Sequence, residues 1–225
     1  SAALAGRERN AWMATPANLT IASIKQVYSK ILNDRNIALV GQQIKFVTPS
    51  GETKTLSPLY LALMLAGMQA GTAIATPLTR KRPDVLDVVC LWDANRDASE
   101  AIRAGLVNLS LGALGYQVER SVTTYLTDDN PIFSEVSANE SINASIRDLR
   151  GALDRFIGTA NRNLTANRIK SIAESRLNRQ IQDGTIKNFR DVVLEDAGDT
   201  LVINYTVAAV EPLNFIRISA TIQRF

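Results

Sequence analysis

The stretch at residues 59–73 has no charged side chain on any helical face. Ser57 and Pro58 precede it and form a strong helix start, with a hydroxyl at the N-cap and proline at the first helical position. A helix that is apolar all round is stable only when other elements cover it. Small residues such as Ala66 and Gly67 would allow those elements to approach closely. The sequence therefore predicts a buried helix at the centre of the fold.

Helices and strands alternate around this segment. The apolar periodicities predict the end of a helix at 7–13, helices at 19–33 and 100–107, and strands at 37–40, 44–47, 84–93 and 117–125. The interspersed order predicts an α/β (mixed α+β) fold, a central mixed sheet flanked by helices. We expect a core domain at residues 1–200 and a C-terminal strand pair at 201–225.

Two helices follow the strand at 117–125. In the first, at 142–158, an apolar stripe indicates a core-facing side, and it consists of Ile142, Ile146, Leu149, Leu153 and Phe156. In the second, at 163–183, Ile169, Ala173 and Leu177 form a similar stripe. The opposite face of this second helix is mostly basic.

The C-terminal residues read as strands throughout. A long strand at 201–210 is followed by a break at Glu211 and Pro212 and by another strand at 213–225. In the last strand Ile216 and Ile218 face one way, while Arg217 and Ser219 face the other. A strand like this leaves an exposed edge unless another strand pairs with it, either in its own sheet or in a second subunit. Periodicity alone leaves both arrangements open.

Histidine is absent, which removes the commonest general base and the commonest metal ligand. Without it there is no Ser-His-Asp triad and no Cys/His zinc site, and the single cysteine, Cys90, lies in an apolar run typical of a buried thiol. The acidic residues at 191–199 occupy a polar turn, where carboxylates usually face water. We therefore predict no catalytic residue, no metal site and no cofactor.

Composition also argues against two classes of partner. Lys and Arg number 25 against 22 Asp and Glu, which gives a net charge of only +3, and the basic residues form no patch. The longest apolar stretch, at 59–75, falls short of the roughly 20 residues that a membrane span needs. We expect neither nucleic-acid binding nor membrane insertion.

The order of these segments resembles the tail sheath proteins of contractile phage tails and phage-tail-like bacteriocins. The resemblance rests on the apolar helix at 61–71 followed by Thr76-Pro77, on Val122-Thr123-Thr124-Tyr125, and on Arg155-Phe156-Ile157-Gly158. The resemblance continues through the segment at 184–189, which precedes the last strands, and through the closing strand pair at 207–218. The likeness covers nearly the whole chain and corresponds to the C-terminal half or more of a sheath subunit.

The resemblance implies a structural subunit rather than an enzyme. Such subunits form stacked hexameric rings around an inner tube, and their contraction drives the tube through a target envelope. The implied partners are other copies of the chain, the inner tail tube protein, and baseplate and terminator proteins. The implied location is the virion tail, assembled in the bacterial host cytoplasm.

The resemblance also implies which residues join subunits. The last strand, 213–225, would be an arm that pairs with a neighbour through Leu213, Phe215, Ile216, Arg217, Ile218, Ser219, Ala220, Thr221, Ile222 and Gln223. The adjoining strand would receive an arm through Leu201, Ile203, Tyr205 and Val207. The helix before it would face the tube through Arg168, Lys170, Glu174, Arg176 and Arg179, although a solvated face explains these charges nearly as well. The alternative function is another structural component of a phage or secretion apparatus, such as a tube, baseplate or adhesin protein.

Overall fold

The structure is a computed structural model that describes residues 8–128, 130–158, 163–196 and 200–213. In the first half of the chain the elements are β1 (Ala11–Ala14), α1 (Ile21–Ile24), a π-helical turn (Lys25–Ser29), α2 (Lys30–Leu32), β2 (Ile37–Val40), β3 (Gln43–Val47), β4 (Thr53–Leu56), α3 (Pro58–Ala70), β5 (Asp87–Val89), α4 (Ala98–Arg103) and β6 (Leu106–Gly112). In the second half they are β7 (Gly115–Arg120), α5 (Pro131–Ser134), α6 (Val136–Leu153), a 3₁₀ turn (Asp154–Phe156), α7 (Asn163–Gln182), β8 (Ile186–Asp196) and β9 (Leu201–Ala209).

The strands form three sheets. The first has the order β1-β2-β6-β7 and is mixed, because β1, β2 and β6 are parallel while β7 runs antiparallel to β6. The second, β4-β3-β5, and the third, β8-β9, are antiparallel. Helices pack against these sheets. The predicted mixed α/β class is confirmed, and the β structure is divided among several sheets.

The mixed sheet is covered on both faces, as the apolar sequence of β2 requires. Ala38 and Val40 face a core that includes Leu61 and Leu65 of α3, whereas Leu39 and Leu106 face a second core beside Ile24 of α1. All four residues of β2 are buried. A strand covered on both faces reads as a continuous apolar run, which is the pattern at 37–40.

Helix α3 begins at Pro58, with Ser57 in an extended conformation at the N-cap, as predicted. The prediction that other elements would cover it on all sides is wrong. Leu61 and Leu65 are buried against the mixed sheet, but Leu59 and Leu63 are 52% and 62% exposed. The mixed sheet and β3 of the second sheet cover one side of this helix, and its other side stays open.

The helix expected at 100–107 ends at Arg103, and Leu106 and Val107 belong to β6, which pairs with β2. Two other sequence predictions also differ from the structure. Part of the helix end expected at 7–13 is instead strand, because β1 (Ala11–Ala14) pairs in parallel with Ile37–Val40 at the sheet edge. The strand expected at 117–125 ends at Arg120, and Val122 forms only an isolated bridge with Glu135. In both places the pairing available in three dimensions overrides the local residue pattern.

Gln42 extends the pairing between β2 and β6 with its side chain. Its Nε2 donates to the carbonyl oxygen of Leu109 at 3.0 Å, and its Oε1 accepts from the Leu109 amide at 2.7 Å. The residue is fully buried. Strand β2 ends at Val40 and offers no peptide group opposite Leu109. The Gln42 side-chain amide takes that place, and without it the backbone N–H and C=O of Leu109 would both be unpaired.

We expect Gln42→Ala to lower the free energy of unfolding by about 3 kcal/mol, because it removes both hydrogen bonds to Leu109 and leaves a cavity. Urea unfolding followed by circular dichroism measures the change. Gln43→Ala is the matched control in the half-buried first position of β3, with an expected loss below about 1 kcal/mol. Equal losses in the two variants would contradict the bridging role of Gln42.

Candidate assembly interface

The last two described strands, β8 and β9, form an antiparallel hairpin. Leu201 pairs with Asp196 at one end and Ala209 pairs with Ile186 at the other. Two register shifts interrupt β8, and Asp191 at the second shift has a φ of 57°. Shifts of this kind bend a strand and increase its twist. The hairpin therefore has one regular strand, β9, and one irregular strand, β8.

One face of the hairpin packs against helices α6 and α7. Its core contains Ile186 and Val192 from β8 and Leu149, Ala173 and Leu177 from the helices. Ile203, Tyr205 and Val207 pack against this core from β9. A two-stranded hairpin is marginally stable alone, so this apolar contact stabilises it.

The four residues predicted to receive an arm occupy one side of β9. Leu201, Ile203, Tyr205 and Val207 are half-buried, whereas the residues between them are exposed. The alternation predicted from the sequence is therefore present. The predicted receiving side chains support the strand from beneath, and an arriving strand would meet the backbone edge of β9 and its exposed face.

The free edge of β9 is the feature that distinguishes this surface. Within the described residues β9 pairs only with β8, so its other edge has no strand partner. Natural sheets protect such edges with charges, proline or bulges. β9 contains no charged residue and no proline, whereas β8 carries Lys187, Arg190, Asp191, Glu195 and Asp196 in addition to its two irregularities. Of the two edges of the hairpin, that of β9 is the one suited to strand addition.

Serines on α6 secure both strands of the hairpin. The Ser141 hydroxyl donates to the carbonyl oxygen of Thr185 at 2.5 Å and accepts from the Val210 amide at 3.4 Å. The Ser145 hydroxyl lies 3.2 Å from that of Tyr205. Burial raises the pKa of Tyr205, so its hydroxyl keeps its proton at neutral pH.

The predicted arm lies almost wholly outside the described residues. Of its members only Leu213 is described, and it is 79% exposed after the break that follows β9. The others, Phe215, Ile216, Arg217, Ile218, Ser219, Ala220, Thr221, Ile222 and Gln223, lie outside. The assignment of 213–225 as an arm stays a prediction, as does the domain boundary at residue 200.

The residues predicted to face a tube divide into two groups on α7. Arg176 is half-buried and lies 3.8 Å from Asp148 of α6, so it belongs to the contact between the two helices. Arg168, Lys170 and Arg179 are exposed. Lys170 and Glu174 are 4.0 Å apart, and Arg179 lies 3.5 Å from Asp183. The outer face of α7 therefore keeps an excess of positive charge, and its role in tube contact stays a prediction.

The described residues show surface carboxylates and a protected thiol. Asp191, Glu195 and Asp196 are exposed side chains on β8 and lie in no shielded cleft. The half-buried thiol of Cys90 donates to the carbonyl oxygen of Trp92, and burial raises its pKa. A raised pKa keeps the thiol protonated and so makes it a poor nucleophile. No group of three or more metal-binding side chains occurs in the described part, and no helix there is long and apolar enough to cross a membrane.

No family model matches the chain. Related sequences nevertheless exist among phage proteins. The chain is 26% identical over 196 residues to the tail sheath protein of Staphylococcus phage Twort, covering 84% of this chain and 33% of that protein. It is 21% identical over 191 residues to the tail sheath protein of Bacillus phage SP01, covering 84% and 34%. It is 30% identical over 198 residues to a putative tail sheath protein of Enterococcus phage phiEF24C, covering 83% and 34%.

The chain is a relative of the phage tail sheath proteins. The resemblance inferred from the sequence is thereby confirmed, and the chain spans about a third of the length of these curated sheath relatives.

Solved structures of contractile systems share the sheath fold with this chain. A chain in the cryo-EM structure of the anti-feeding prophage baseplate matches with a TM-score of 0.76 at 18% identity, covering 99% of this chain and 63% of that one. The contracted helical sheath of the same system gives 0.69 at 17% identity, covering 98% and 64%. The crystal structure of a sheath tail protein from Desulfitobacterium hafniense gives 0.64 at 18% identity, covering 83% and 48%.

We expect Ser141→Ala to weaken the hold of α6 on the hairpin, because it removes a donor to Thr185 and an acceptor for Val210. The free energy of local opening of β8 and β9 should fall by about 1–2 kcal/mol. Native-state hydrogen exchange of the hairpin amides measures this change. Ser171→Ala, an exposed site on α7, serves as the control. Unchanged protection of the hairpin in Ser141→Ala would contradict the role assigned to this hydroxyl.

Proposed function

We propose that the chain is a structural subunit, or the C-terminal part of one, of a contractile tail sheath. In this proposal copies assemble as stacked hexameric rings around an inner tube, and contraction of the sheath drives the tube through a target cell envelope. The observation that carries it is the sequence relationship to tail sheath proteins over about five-sixths of the chain (84% for two of them). The shared fold with a contracted helical sheath supports the same conclusion.

The joint between subunits, in this proposal, is strand addition at β9. Residues 213–225 of one copy pair with the open edge of β9 in a neighbour. The uncharged edge supports this assignment, because main-chain hydrogen bonds can form along it without desolvating a charge. Each bond contributes about 0.5–1.5 kcal/mol net, and a row of them gives a joint that tolerates bending. Such a joint stays closed while subunits move relative to one another.

The proposed partners follow from the same assignment. They are other copies of this chain, an inner tail tube protein beneath α7, and baseplate and terminator proteins at the two ends. The proposed location is the virion tail, after assembly in the host cytoplasm, and no enzymatic activity is assigned. A second candidate is a baseplate component, because one of the matched folds comes from a baseplate structure. Electron microscopy of the purified chain discriminates, since a sheath subunit should form wide hollow tubes.

Deletion of residues 213–225 should abolish polymerisation and leave the domain folded, because it removes the arm and keeps β9. Circular dichroism and thermal unfolding test the fold, and negative-stain microscopy tests the assembly. In mixtures with the full-length chain, the truncated chain should shorten polymers in proportion to its share, because it accepts an arm and offers none. Tubes of normal length from the truncated chain alone would eliminate the arm assignment.

The charge of α7 allows a separate test of the tube contact. Arg168→Glu combined with Lys170→Glu should reduce co-assembly with the tube and leave tube-free self-assembly unchanged, because both side chains are exposed on the outer face of the helix. Co-sedimentation with preformed tubes at low and high salt measures this, since exposed charges are screened within about 8 Å at 0.15 M ionic strength. Lys54→Glu combined with Arg96→Glu is the matched double reversal, because both side chains are exposed and lie outside α7. Equal binding by the two variants would remove α7 from the tube interface.

A further inference from the structure

A cleft of about 590 Å³ lies between the π-helical turn with α2, the end of α4 and the segment that follows β7. Four of the residues that line it are basic, namely Lys25, Lys30, Arg103 and Arg120, and one is acidic, Asp128. Because the basic residues come from separate parts of the chain, no basic run marks the cleft in the sequence. Clefts of this size, within the range of roughly 300–1,000 Å³, are typical of small-molecule sites.

The π-helical turn places the two lysines on the same side of their helix. The Lys30 amide donates to the carbonyl oxygen of Lys25, five residues earlier, which is the π-helical pattern. In an α-helix, with 3.6 residues per turn, residues five apart would point about 140° away from each other. The wider π turn brings them nearly into line, and both lysines line the cleft. Single π turns are rare and occur frequently at functional sites.

The cleft holds most of the excess positive charge of the chain. Arg120 pairs through its Nε with the buried carboxylate of Glu135, and Asp128 accepts from the Tyr125 hydroxyl at 3.2 Å. Within the described residues, no carboxylate forms an ion pair with Arg103 or with either lysine. Four basic residues against the two carboxylates leave a charge of +2 at the cleft, and the net charge of the whole chain is +3.

Hydrogen bonds between the walls fix the shape of the cleft. At the end of α2, the Asn33 side chain accepts from the Leu126 amide at 2.8 Å and donates to the Thr127 hydroxyl at 3.0 Å. The Thr124 hydroxyl accepts from the Asp34 amide and donates to the Asp34 carbonyl oxygen, both at 3.1 Å. These bonds join α2 to the segment after β7 at two adjacent points. A ligand therefore meets a cleft whose walls are already ordered, which lowers the cost of binding.

We propose that this cleft binds a small multivalent anion of the phosphate class, either a free polyphosphate or the phosphate groups of a nucleotide. One bidentate arginine satisfies a single carboxylate, whereas linked phosphates offer enough oxygens and charge for several cations at once. Arg120, the most buried of the four basic residues, supplies a guanidinium that Glu135 holds in place. Lys25, Lys30 and Arg103 supply the charge that no carboxylate balances. The bound anion links the π-helical turn, α4 and the segment after β7.

Equilibrium dialysis of the full-length chain tests this proposal, with inorganic pyrophosphate and ADP as the probes at fixed ionic strength. Lys30→Ile combined with Ile31→Lys moves one charge by one position and keeps the composition and the net charge. Ile31 is 76% exposed, so its position accepts a lysine. The exchange should raise the Kd for pyrophosphate about tenfold, because one charge-assisted contact is lost. Arg103→Gln should give a similar rise. Arg96→Gln, an exposed site outside the cleft, is the matched control and should leave the Kd unchanged.

Each result has a definite meaning. A rise in Kd for the charge exchange and for Arg103→Gln, with unchanged circular dichroism and an unchanged control, supports the proposal. Tighter binding of ADP than of pyrophosphate identifies a nucleotide site, and the reverse identifies a site for free polyphosphate. If the charge exchange unfolds the chain, Arg103→Gln against Arg96→Gln decides alone.

Three outcomes would overturn the proposal. The first is no saturable binding of either probe. The second is an equal effect of Arg96→Gln and Arg103→Gln, which would indicate non-specific attraction. The third is equally tight binding of citrate, a carboxylate anion of similar charge, which would assign the cleft to carboxylate groups such as those of an acidic protein segment. Dialysis reports binding whether or not the chain polymerises, so failure here differs from failure of the proposed function.

Discussion

Buried polar side chains on helix α6 connect the two halves of the described structure. Ser141, Asn143 and Ser145 are buried there and each contacts a residue outside the helix, although the helix has few fully buried apolar residues. Such groups must find hydrogen-bond partners when they leave water. Asn143 donates to side chains that precede β1 and β2, at Asn10 and Asn36, whereas Ser141 and Ser145 bond the hairpin. The position of the hairpin relative to the mixed sheet depends on these directional contacts.

Helices α6 and α7 hold the hairpin in place, while the outer edge of β9 has no strand partner within the described residues. An isolated β9 would have to be ordered by any strand that joined it, at a cost in conformational entropy. Packing against Leu149, Ala173 and Leu177 orders the strand in advance. The proposed joint would therefore form between a prepared edge and an arriving strand, and its affinity would rest mainly on the row of main-chain hydrogen bonds.

The proposed joint, made of backbone groups, would also tolerate the sequence divergence between the chain and its relatives. The phage sheath relatives are only 21–30% identical to the chain, and the matched solved structures retain the fold at 17–18% identity. Strand addition needs an alternating, uncharged strand with a free edge, and many sequences meet that requirement. Side chains at the proposed joint can therefore change extensively while its geometry stays the same.

The sequence by itself determined the α/β class, the paired helices α6 and α7, the alternation of β9 and the family relationship. Each of these depends on local periodicity or on the order of segments along the chain. Tertiary structure alone decided which face of an element is covered. The stripe on α6 was expected to be its core side, yet only Leu149 of that stripe is fully buried and the serines and asparagines face inward. Helix α3 kept one face open, and residues 11–14 became a strand only because β2 lies beside them. Pairing and burial depend on neighbours that are distant in sequence, and a local pattern does not specify those neighbours.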